Sequence, residues 1–450
     1  MDTQTTPASA AAAPTGLDLA ALAAEGLSPV LGRYFERSWS HGQGHHLYDT
    51  DGKRYLDFAN GIAVSVLGHR HPAVTAAIHR QVDDLIAPCA AMGYAESTVR
   101  LARMLADELP DPIDTVFFLN SGSEAIEGAI KLARRVTGRP GIVAFRGAFH
   151  GRTTGAAAIT SSNINYRIGY EPFLPSVYLT AYPSVYREHA GDEERAVHVA
   201  LQELHDLTAT TIPARSVAAI FIEAVQGEGG YIPAPPAFLQ ALRAFCDEHG
   251  ILLVCDEVQS GFGRTGKMWA FEHAGIIPDV VCMAKAIANG LPLSAIATRR
   301  ELQDRWGKSA HGTTYGGNPV CCAAGIAVLE TIRAERLVEN AAAHGKELTA
   351  GLREIMAEDE RIGDVRGPGL MVGVEFVKDR ATRAPDGPIC ETVIQRCADD
   401  GLLVISCGVE HNVIRWIPPL DVTSKEIAEA LGIFRRVLRS LPTNGQTAGI

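Results

Sequence analysis

Short apolar runs alternate with amphipathic segments between about residue 75 and residue 335. The runs are rich in β-branched and aromatic residues, which is typical of strands buried on both faces of a sheet. The segments between them repeat apolar residues at helical spacing. This alternation predicts an α/β fold with a mostly parallel sheet covered by helices. The clearest runs are TVFFLN, GIVAF, VAAIFIEA, ILLVCDE and DVVCMA, and the clearest helical segments are SEAIEGAIKLARRV and PAFLQALRAFCDEHG.

The chain on either side of this region has a different pattern. The segment LYDTDGKRYLDF predicts two short strands joined by a turn at Asp51 and Gly52. After about residue 340, a long helical region precedes the glycine-rich strand region GPGLMVGVEFV. We therefore predict a large domain over residues 76–338 and a smaller α+β domain formed by residues 339–445, to which residues 29–75 contribute.

Composition narrows the class of protein. The 450 residues include 46% hydrophobic and 21% charged residues with a formal net charge of −11, which favours a soluble globular protein and not a nucleic-acid-binding one. No apolar run is long enough to span a membrane. The low-complexity start predicts a disordered tail over residues 1–28, and the first basic residue is Arg33, so no signal or transit peptide is expected. The nine cysteines lack CxxC spacing and are expected to be reduced thiols in the cytoplasm.

Functional residue types follow the predicted strands where the strands end. The ligand site of an open parallel sheet lies outside the carboxyl ends of its strands, so these residues are expected at one rim. One of them is Lys285, the only charged residue between Asp279 and Arg299. It can pack its stem and keep its amine in water, or act as a nucleophile that forms a Schiff base with a carbonyl compound. The rim motifs are NSGSEA, FHGR, EAVQGEGG, DEVQSG and AK.

Three rim features match the needs of pyridoxal phosphate. Ser121 and Glu124 have capping-box spacing, so a helix should begin there, and its first N–H groups at Gly122 and Ser123 form a candidate phosphate site. Asp256 ends an apolar strand, where a carboxylate could favour a protonated pyridine nitrogen. The rim lysine would supply the Schiff base. Taken singly, each feature has an ordinary explanation as a capped helix, a salt bridge or a solvated lysine.

In order along the chain, these motifs resemble those of the class III, ornithine/4-aminobutyrate-type aminotransferases, which have the fold of aspartate aminotransferase. The resemblance runs from about residue 29 to residue 440. It implies pyridoxal 5'-phosphate as cofactor and the type I fold of enzymes that use it, with a mostly parallel seven-stranded sheet in the large domain. The motifs that carry it are NSGSEAIEGAIKLAR, AFHGRT, QGEGG, DEVQSGFGRTG, AKAIANGLPLSA and TTYGGNP.

The resemblance also implies roles at the cofactor site. Lys285 would form the internal aldimine and carry the proton between substrate and cofactor carbons, and Asp256 would pair with the ring nitrogen. Phe149 and Val258 would cover the two faces of the ring, since a flat aromatic needs two apolar walls. The other positions implied are the phosphate contacts Gly122 and Ser123, Gln259 at the ring oxygen, the wall residues His150 and Glu223, and Thr314, which would reach the phosphate of the other subunit of a homodimer.

Substrate roles follow from the same resemblance. Arg152 would bind the distal carboxylate and Arg415 the α-carboxylate of glutamate, because arginine binds carboxylates in a bidentate fork. Glu228 would pair with Arg415 when the substrate has no α-carboxylate, so that no buried charge is left unpaired. Ile62 would line the amine-side pocket. The set most resembles 4-aminobutyrate aminotransferases and predicts ping-pong transfer of an amino group from an ω-amino acid to 2-oxoglutarate.

Other functions stay open at this point. Ornithine- and acetylornithine-type aminotransferases and some racemases share much of the set, and Ala224 and the loop APCAAMGYAES depart from the expected pattern. The segment GFGRTG, residues 261–266, fits the GxGxxG of nicotinamide dehydrogenases, but it does not begin at the strand end as that motif requires. The histidine-rich segments 41–46 and 68–72 suggest a metal enzyme but lack HExxH-like spacing.

Overall fold

The computed structural model describes residues 18–442. The strands are β1 (Trp39–Gln43), β2 (His46–Asp49), β3 (Arg54–Asp57), β4 (Thr115–Leu119), β5 (Gly141–Phe145), β6 (Val177–Thr180), β7 (Val217–Ile222), β8 (Val225–Gln226), β9 (Ile232–Pro233), β10 (Leu252–Asp256), β11 (Val280–Met283), β12 (Ser294–Thr298), β13 (Ile362–Arg366), β14 (Val372–Asp379), β15 (Ala384–Pro385), β16 (Leu402–Leu403), β17 (Ile405–Cys407) and β18 (Val413–Trp416). The helices are α1 (Leu19–Gly26), α2 (Asn60–Ala63), α3 (Pro72–Asp84), α4 (Glu96–Asp107), α5 (Gly122–Thr137), α6 (Thr154–Ala158), α7 (Val185–His189), α8 (Glu193–Thr210), α9 (Pro236–His249), α10 (Arg300–Trp306), α11 (Pro319–Ala334), α12 (Leu337–Glu358), α13 (Gly387–Asp399) and α14 (Ser424–Ser440).

Seven strands form the central sheet in the order β4-β12-β11-β10-β7-β5-β6. Strand β12 is antiparallel to both of its neighbours, and the other pairs are parallel. Alternate residues of β5 face two different hydrophobic clusters: Val143 and Phe145 lie in one, and Ile142 and Ala144 in the other. Helix α5 packs in the second cluster, while α9 and α11 pack in the first. The sheet is thus covered on both faces, as the continuous apolar runs predicted.

Two further sheets are formed by segments outside the central sheet, and one of them joins the two ends of the chain. Strands β13, β14, β18 and β17 form an antiparallel sheet, with β15 paired to β14. The predicted hairpin is confirmed, because β2 and β3 pair antiparallel across the turn that contains Asp51 and Gly52. Strand β3 also pairs in parallel with β16, so N-terminal and C-terminal segments share one sheet. The division of the chain into domains at residues 76 and 339 stays a prediction.

The structure changes some expectations about the termini and loops. Residues 1–17 of the predicted tail lie outside the described residues, and Leu19–Gly26 form a helix capped by Asp18 that has no buried residues. The tail over residues 1–28 stays a prediction. Residues 261–266 form turns and open no helix, unlike a dinucleotide-binding motif. His45 lies between Asp421 and Glu426, at 2.9 and 2.6 Å. Among the described residues no group of three metal-binding side chains could hold an ion, and no helix could cross a membrane.

Candidate active site

A cavity of about 520 Å³ lies where five strands of the central sheet end. Most of its lining residues come directly after β4, β5, β7 and β11, and Asp256 is the last residue of β10. The edge of the sheet therefore brings together residues that are far apart in sequence. This is the position expected for a ligand site in an open parallel sheet. Eleven of the predicted site residues line it: Gly122, Ser123, Phe149, His150, Arg152, Glu223, Glu228, Asp256, Val258, Gln259 and Lys285.

Three predicted residues do not line this cavity. Arg415 is fully buried and reaches the site through its ion pair with Glu228. Thr314 is exposed and lines a separate cavity of about 420 Å³. Ile62 is not among the lining residues of this cavity, whereas Val64 is. Asn60–Ala63 are in left-handed conformations and Ile62 packs toward the cluster around Tyr55, so its substrate role stays a prediction.

Lys285 follows β11 directly and begins a short 3-10 helix that ends at Ala288. Its φ of +48° is in the left-handed region, which costs a residue other than glycine about 1 kcal/mol or more. Nζ forms no hydrogen bond with the described residues. Burial lowers the pKa of Lys285 below its ordinary value, although the carboxylates of Glu228, Asp256 and Glu223 oppose the shift. The fold thus places a lysine with a strained backbone and a partly desolvated amine at the cavity wall, and this burial disfavours the charged form of the amine.

A buried network of two carboxyls and an imidazole forms another part of the wall. His150 Nδ1 lies 2.7 Å from Asp256 Oδ2, and the Val258 N–H donates to Asp256 Oδ1 at 3.0 Å. Burial opposes protonation of His150, but Asp256 raises the His150 pKa above its ordinary value. The Glu223 carboxyl accepts from the N–H groups of Phe149 and Gly227, and burial raises its pKa to about 7. The network fixes the Asp256 carboxylate at the end of β10.

The cavity has walls suited to a flat ring. Val258 approaches Gly122 so closely that an added Cβ on Gly122 would lie 2.9 Å from Val258 Cγ1, so only glycine fits there without a shift. Phe149 packs edge-on against Tyr166, with ring centroids 5.5 Å apart. The Gln259 Oε1 accepts from the Tyr231 hydroxyl at 2.7 Å, which leaves the Gln259 amide N–H groups as donors.

The predicted helix start is confirmed at the entrance of the cavity. The Ser121 hydroxyl accepts from the Glu124 N–H, and α5 begins at Gly122. The second half of the capping box differs, because the Glu124 carboxylate accepts from the N–H and side-chain amide of Asn120. The first N–H groups of a helix have no partner within the helix and favour an anion. The Ser123 hydroxyl lies beside them, 2.7 Å from Thr153 Oγ1.

Arg415 and Glu228 form the ion pair predicted for the substrate end of the site. The Arg415 side chain has no exposed area, and that of Glu228 is 18% exposed. Burial would lower the pKa of Arg415, but Glu228 raises it above its ordinary value. Nη2 of Arg415 also donates to the Ser406 carbonyl at 2.7 Å and to the Tyr34 hydroxyl at 3.1 Å. Tyr34 was missed in the sequence, because it lies far from every motif and its position depends on how the chain ends meet.

The second arginine of the site rests on an aromatic ring. The Arg152 guanidinium lies 4.1 Å from the centroid of the Tyr166 ring, within the range of a cation–π contact. Arg152 is exposed, so its charge is available to a carboxylate that enters the cavity. Tyr166 contacts both Arg152 and Phe149 and was also missed in the sequence. One solvent-facing arginine, Arg152, therefore lines the cavity, and one buried arginine, Arg415, lies behind Glu228, which neutralises it.

These residues fit pyridoxal phosphate. A crowded glycine and two apolar side chains leave a slot for a flat ring, and a helix N-terminus with a serine can bind a phosphate. Asp256 is held at the end of its strand, where it can pair with a ring nitrogen. Lys285 supplies an amine with a lowered pKa. A larger cavity of about 730 Å³ contains none of the predicted site residues.

The fold and site define an enzyme that uses pyridoxal phosphate bound to a lysine. Comparison with known families makes this specific: residues 32–438 match the family model of class-III aminotransferases. The chain belongs to this family, and it is a pyridoxal-phosphate-dependent aminotransferase.

Individual relatives cover nearly the whole chain. The 4-aminobutyrate aminotransferase GabT of Escherichia coli is 39% identical over 389 residues, which are 86% of this chain and 90% of the relative. The 5-aminovalerate aminotransferase DavT of Pseudomonas aeruginosa is 38% identical over 389 residues, with the same coverage of 86% and 90%. A Bacillus anthracis aminotransferase structure superposes with a TM-score of 0.88 at 30% identity, and covers 94% of this chain and 98% of its own.

Proposed function

We propose that this enzyme transfers the amino group of an ω-amino acid, such as 4-aminobutyrate or 5-aminovalerate, to 2-oxoglutarate by a ping-pong mechanism. The proposal rests on two arginines that differ in burial and in charge pairing. Arg152 is solvent-facing, while Arg415 is buried and paired with Glu228. An ω-amino acid has one carboxylate, which Arg152 can bind while Arg415 stays neutralised. Glutamate has two, and its α-carboxylate would displace Glu228 from Arg415.

The residues of the cavity would divide the chemistry between them. Bound pyridoxal phosphate supplies an electron sink for the carbon that loses a proton. Lys285 would hold the cofactor and carry the proton at Nζ, which its lowered pKa favours. Asp256, fixed by His150, would keep the ring nitrogen protonated. Gly122 and Ser123 would bind the phosphate, Phe149 and Val258 would fix the ring plane, and Gln259 would donate to the ring oxygen.

The relatives support the ω-amino acid as the donor, since two of them are aminotransferases of 4-aminobutyrate and 5-aminovalerate. The acceptor proposal is supported by a taurine:2-oxoglutarate aminotransferase of Bifidobacterium kashiwanohense. That structure, in complex with PLP and glutamate, has a TM-score of 0.87 at 29% identity, and covers 93% of this chain and 96% of its own. The proposed donor has one carboxylate and the proposed acceptor has two, and two carboxylate-binding arginines can distinguish them.

A homodimer is part of the proposal, with Thr314 reaching the cofactor phosphate of the partner subunit. Thr314 is exposed, and Tyr94 and Tyr315 line the same cavity with 99% and 67% of their surface exposed. Exposed aromatic side chains in one patch favour a protein contact. Replacing Thr314 with alanine is expected to weaken cofactor binding about tenfold, the effect of one hydrogen bond to a charged group, without changing the sedimentation coefficient.

The cytoplasm remains the predicted compartment. All nine cysteines are free thiols, and eight of them are buried, which is usual where thiols are kept reduced. A thiol count on protein isolated from its native host without reductant should give nine, and a lower count would refute this prediction.

The half-reaction tests the proposed function. Holoenzyme mixed with 4-aminobutyrate or 5-aminovalerate, without acceptor, should lose the visible band of the lysine-bound cofactor and gain the pyridoxamine band. Arg152→Gln should raise the KM for these donors about tenfold or more, because it removes a charge-assisted bidentate contact. Arg146→Gln, an exposed arginine after the same strand, is the matched control and should behave as wild type. Conversion with ornithine or an α-amino acid but neither ω-amino acid would refute the proposal.

A further inference from the structure

Behind the Glu228–Arg415 pair lies a second charged network that none of the roles above uses. It consists of Arg366 at the end of β13, Glu375 on β14 and Arg187 on α7, and we call it the arginine clamp. The Glu375 side chain is 3% exposed and that of Arg366 is 12% exposed. Buried charges destabilise the fold unless they are paired, so the partners of these residues determine whether the network is stable.

Arg366 joins the clamp to the backbone of the active site. Its Nη1 donates to Asp364 at 2.9 Å and to Glu375 at 2.6 Å. Its Nε and Nη2 both donate to the carbonyl of Gly230, at 3.1 and 2.6 Å. One guanidinium thus binds two carboxylates on one side and a single peptide carbonyl on the other. That carbonyl lies two residues after Glu228.

Glu375 links Arg366 to Arg187, which is partly exposed at the surface. One of its oxygens accepts from Arg366, and the other accepts from Nε of Arg187 at 3.1 Å. Burial would raise the pKa of Glu375, but the two arginines lower it below its ordinary value. The Arg187 side chain is 32% exposed, so the network ends in a residue that can be altered without burying an unpaired charge.

The segment that the clamp holds is the turn of a β-hairpin: β8 and β9 pair on either side of it, and the N–H groups of Gly230 and Tyr231 donate to the Gly227 carbonyl at 3.2 and 3.3 Å. Gly230 has a φ of +126°, and an added Cβ on it would lie 3.2 Å from Arg366 Nη2. On the other side of Glu228, the Glu228 carbonyl accepts from the Gly408 N–H at 2.8 Å. The backbone around Glu228 is therefore fixed by the hairpin, by the bond to the Glu228 carbonyl, and by the bonds from Arg366 to the Gly230 carbonyl. Its side chain remains free to leave Arg415 by rotation alone.

We infer that Arg366, supported by Glu375 and Arg187, is a positioning residue that fixes the Glu228 backbone and so sets how readily a substrate α-carboxylate displaces Glu228 from Arg415. This inference rests on the proposed function, since it assigns a source of its discrimination between substrates with one carboxylate and substrates with two. With the backbone fixed, the Glu228–Arg415 pair is kept in good geometry. With the clamp loosened, the pair weakens and a second carboxylate binds more easily.

Binding of two unreactive acids tests the inference without any turnover. Holoenzyme is titrated with glutarate, which has two carboxylates, and with pentanoate, which has one, and the absorption change of the bound cofactor gives each Kd. Arg366→Lys should increase the preference for glutarate over pentanoate about fivefold, within the usual coupling between residues of one network. Arg187→Gln should increase the preference for glutarate over pentanoate about twofold. Arg353→Gln, a neighbour whose hydrogen bond goes to the Val365 carbonyl at 3.5 Å, should leave the ratio unchanged.

If Arg366→Lys and Arg187→Gln raised the Kd values of both acids equally, the inference would be overturned, because equal losses would mean a general loss of structure. An unchanged ratio in folded variants would overturn it as well. Thermal unfolding and the cofactor spectrum establish folding, and if Arg366→Lys does not fold, the ratio for Arg187→Gln decides alone. A wild-type enzyme inactive toward ω-amino acids would refute the proposed function and still leave these titrations to decide the role of the clamp.

Discussion

Replacing Glu228 with alanine tests the central electrostatic feature of the site. Arg415 has no exposed side-chain area, and Glu228 is its only anionic partner among the described residues. In the free variant, water can reach Arg415 through the space that Glu228 leaves. An ω-amino acid bound by Arg152, as proposed, would expel this water and leave the buried guanidinium of Arg415 without a counter-charge.

The contacts of Arg415 give the free-energy cost of leaving it without a counter-charge. Removing one partner of a buried ion pair costs about 3–5 kcal/mol. Arg415 keeps its hydrogen bonds to Ser406 and Tyr34, and Glu228 is partly exposed, so the lower end applies. A cost of about 3 kcal/mol corresponds to a loss of roughly a hundredfold in kcat/KM for the ω-amino donor. Glutamate should show no loss, because its α-carboxylate takes the place of Glu228.

Single-turnover half-reactions with 4-aminobutyrate and with glutamate give the two kcat/KM values directly. Glu410→Ala is the matched control, since Glu410 is an exposed carboxylate near Gly408, whose N–H binds the Glu228 carbonyl. Equal losses for both donors in Glu228→Ala would refute the reasoning, because they would mean that Glu228 supports the fold and not the choice of substrate. No loss with 4-aminobutyrate would show that Arg415 needs no counter-charge.

Three further predictions concern residues around the site and the contact between chain ends. Tyr34→Phe should raise the KM for glutamate about fivefold, since one donor of Arg415 loses its acceptor, and steady-state kinetics measure it. Asp256→Asn should slow the half-reaction about a hundredfold or more while the cofactor spectrum still shows binding, and a wild-type rate would exclude Asp256 from catalysis. His45 has a pKa raised from 6.5 to about 9; although burial opposes protonation, Asp421 and Glu426 favour it. Its stabilisation is therefore complete below about pH 6.5 and is lost as the pH rises through about 9. His45→Gln should lower the unfolding free energy by about 2 kcal/mol at pH 6 and by almost nothing at pH 10, and a difference that persists at pH 10 would contradict this.

The strands and the rim of the sheet could be predicted because their signals are local. An apolar run such as that of β10 specifies a buried strand, and Asp256 at its end is then placed at the rim by topology alone. Strands β6 and β12 were not recognised in the sequence. Strand β12 runs antiparallel to β11, and the chain between them includes Lys285 in a left-handed conformation that its residue type disfavours.

Other features depend on contacts that no local pattern records. His45 meets carboxylates almost four hundred residues away, so the histidine-rich segment that suggested a metal site joins the N-terminal strands to α14. Ile62 was assigned by position in a motif. In the structure Ile62 is in a left-handed turn and Val64, just after it, lines the cavity, so the role of Ile62 stays a prediction. Side-chain direction in such a turn follows from backbone angles that the sequence does not specify.

The difference between the two ends of the site has one physical origin. The cofactor end is built from the ends of adjacent strands in a single sheet, so local strand signals and one topological rule place its residues together. The substrate end is built from β18, which shares a sheet with Arg366 and Glu375 of the arginine clamp, from the segment after β8 and from the N-terminal segment. Contacts such as that between Tyr34 and Arg415 arise only when these elements pack. Because charge pairing at this end would decide which carboxylates are accepted, substrate choice can change by repacking there while the cofactor end stays the same.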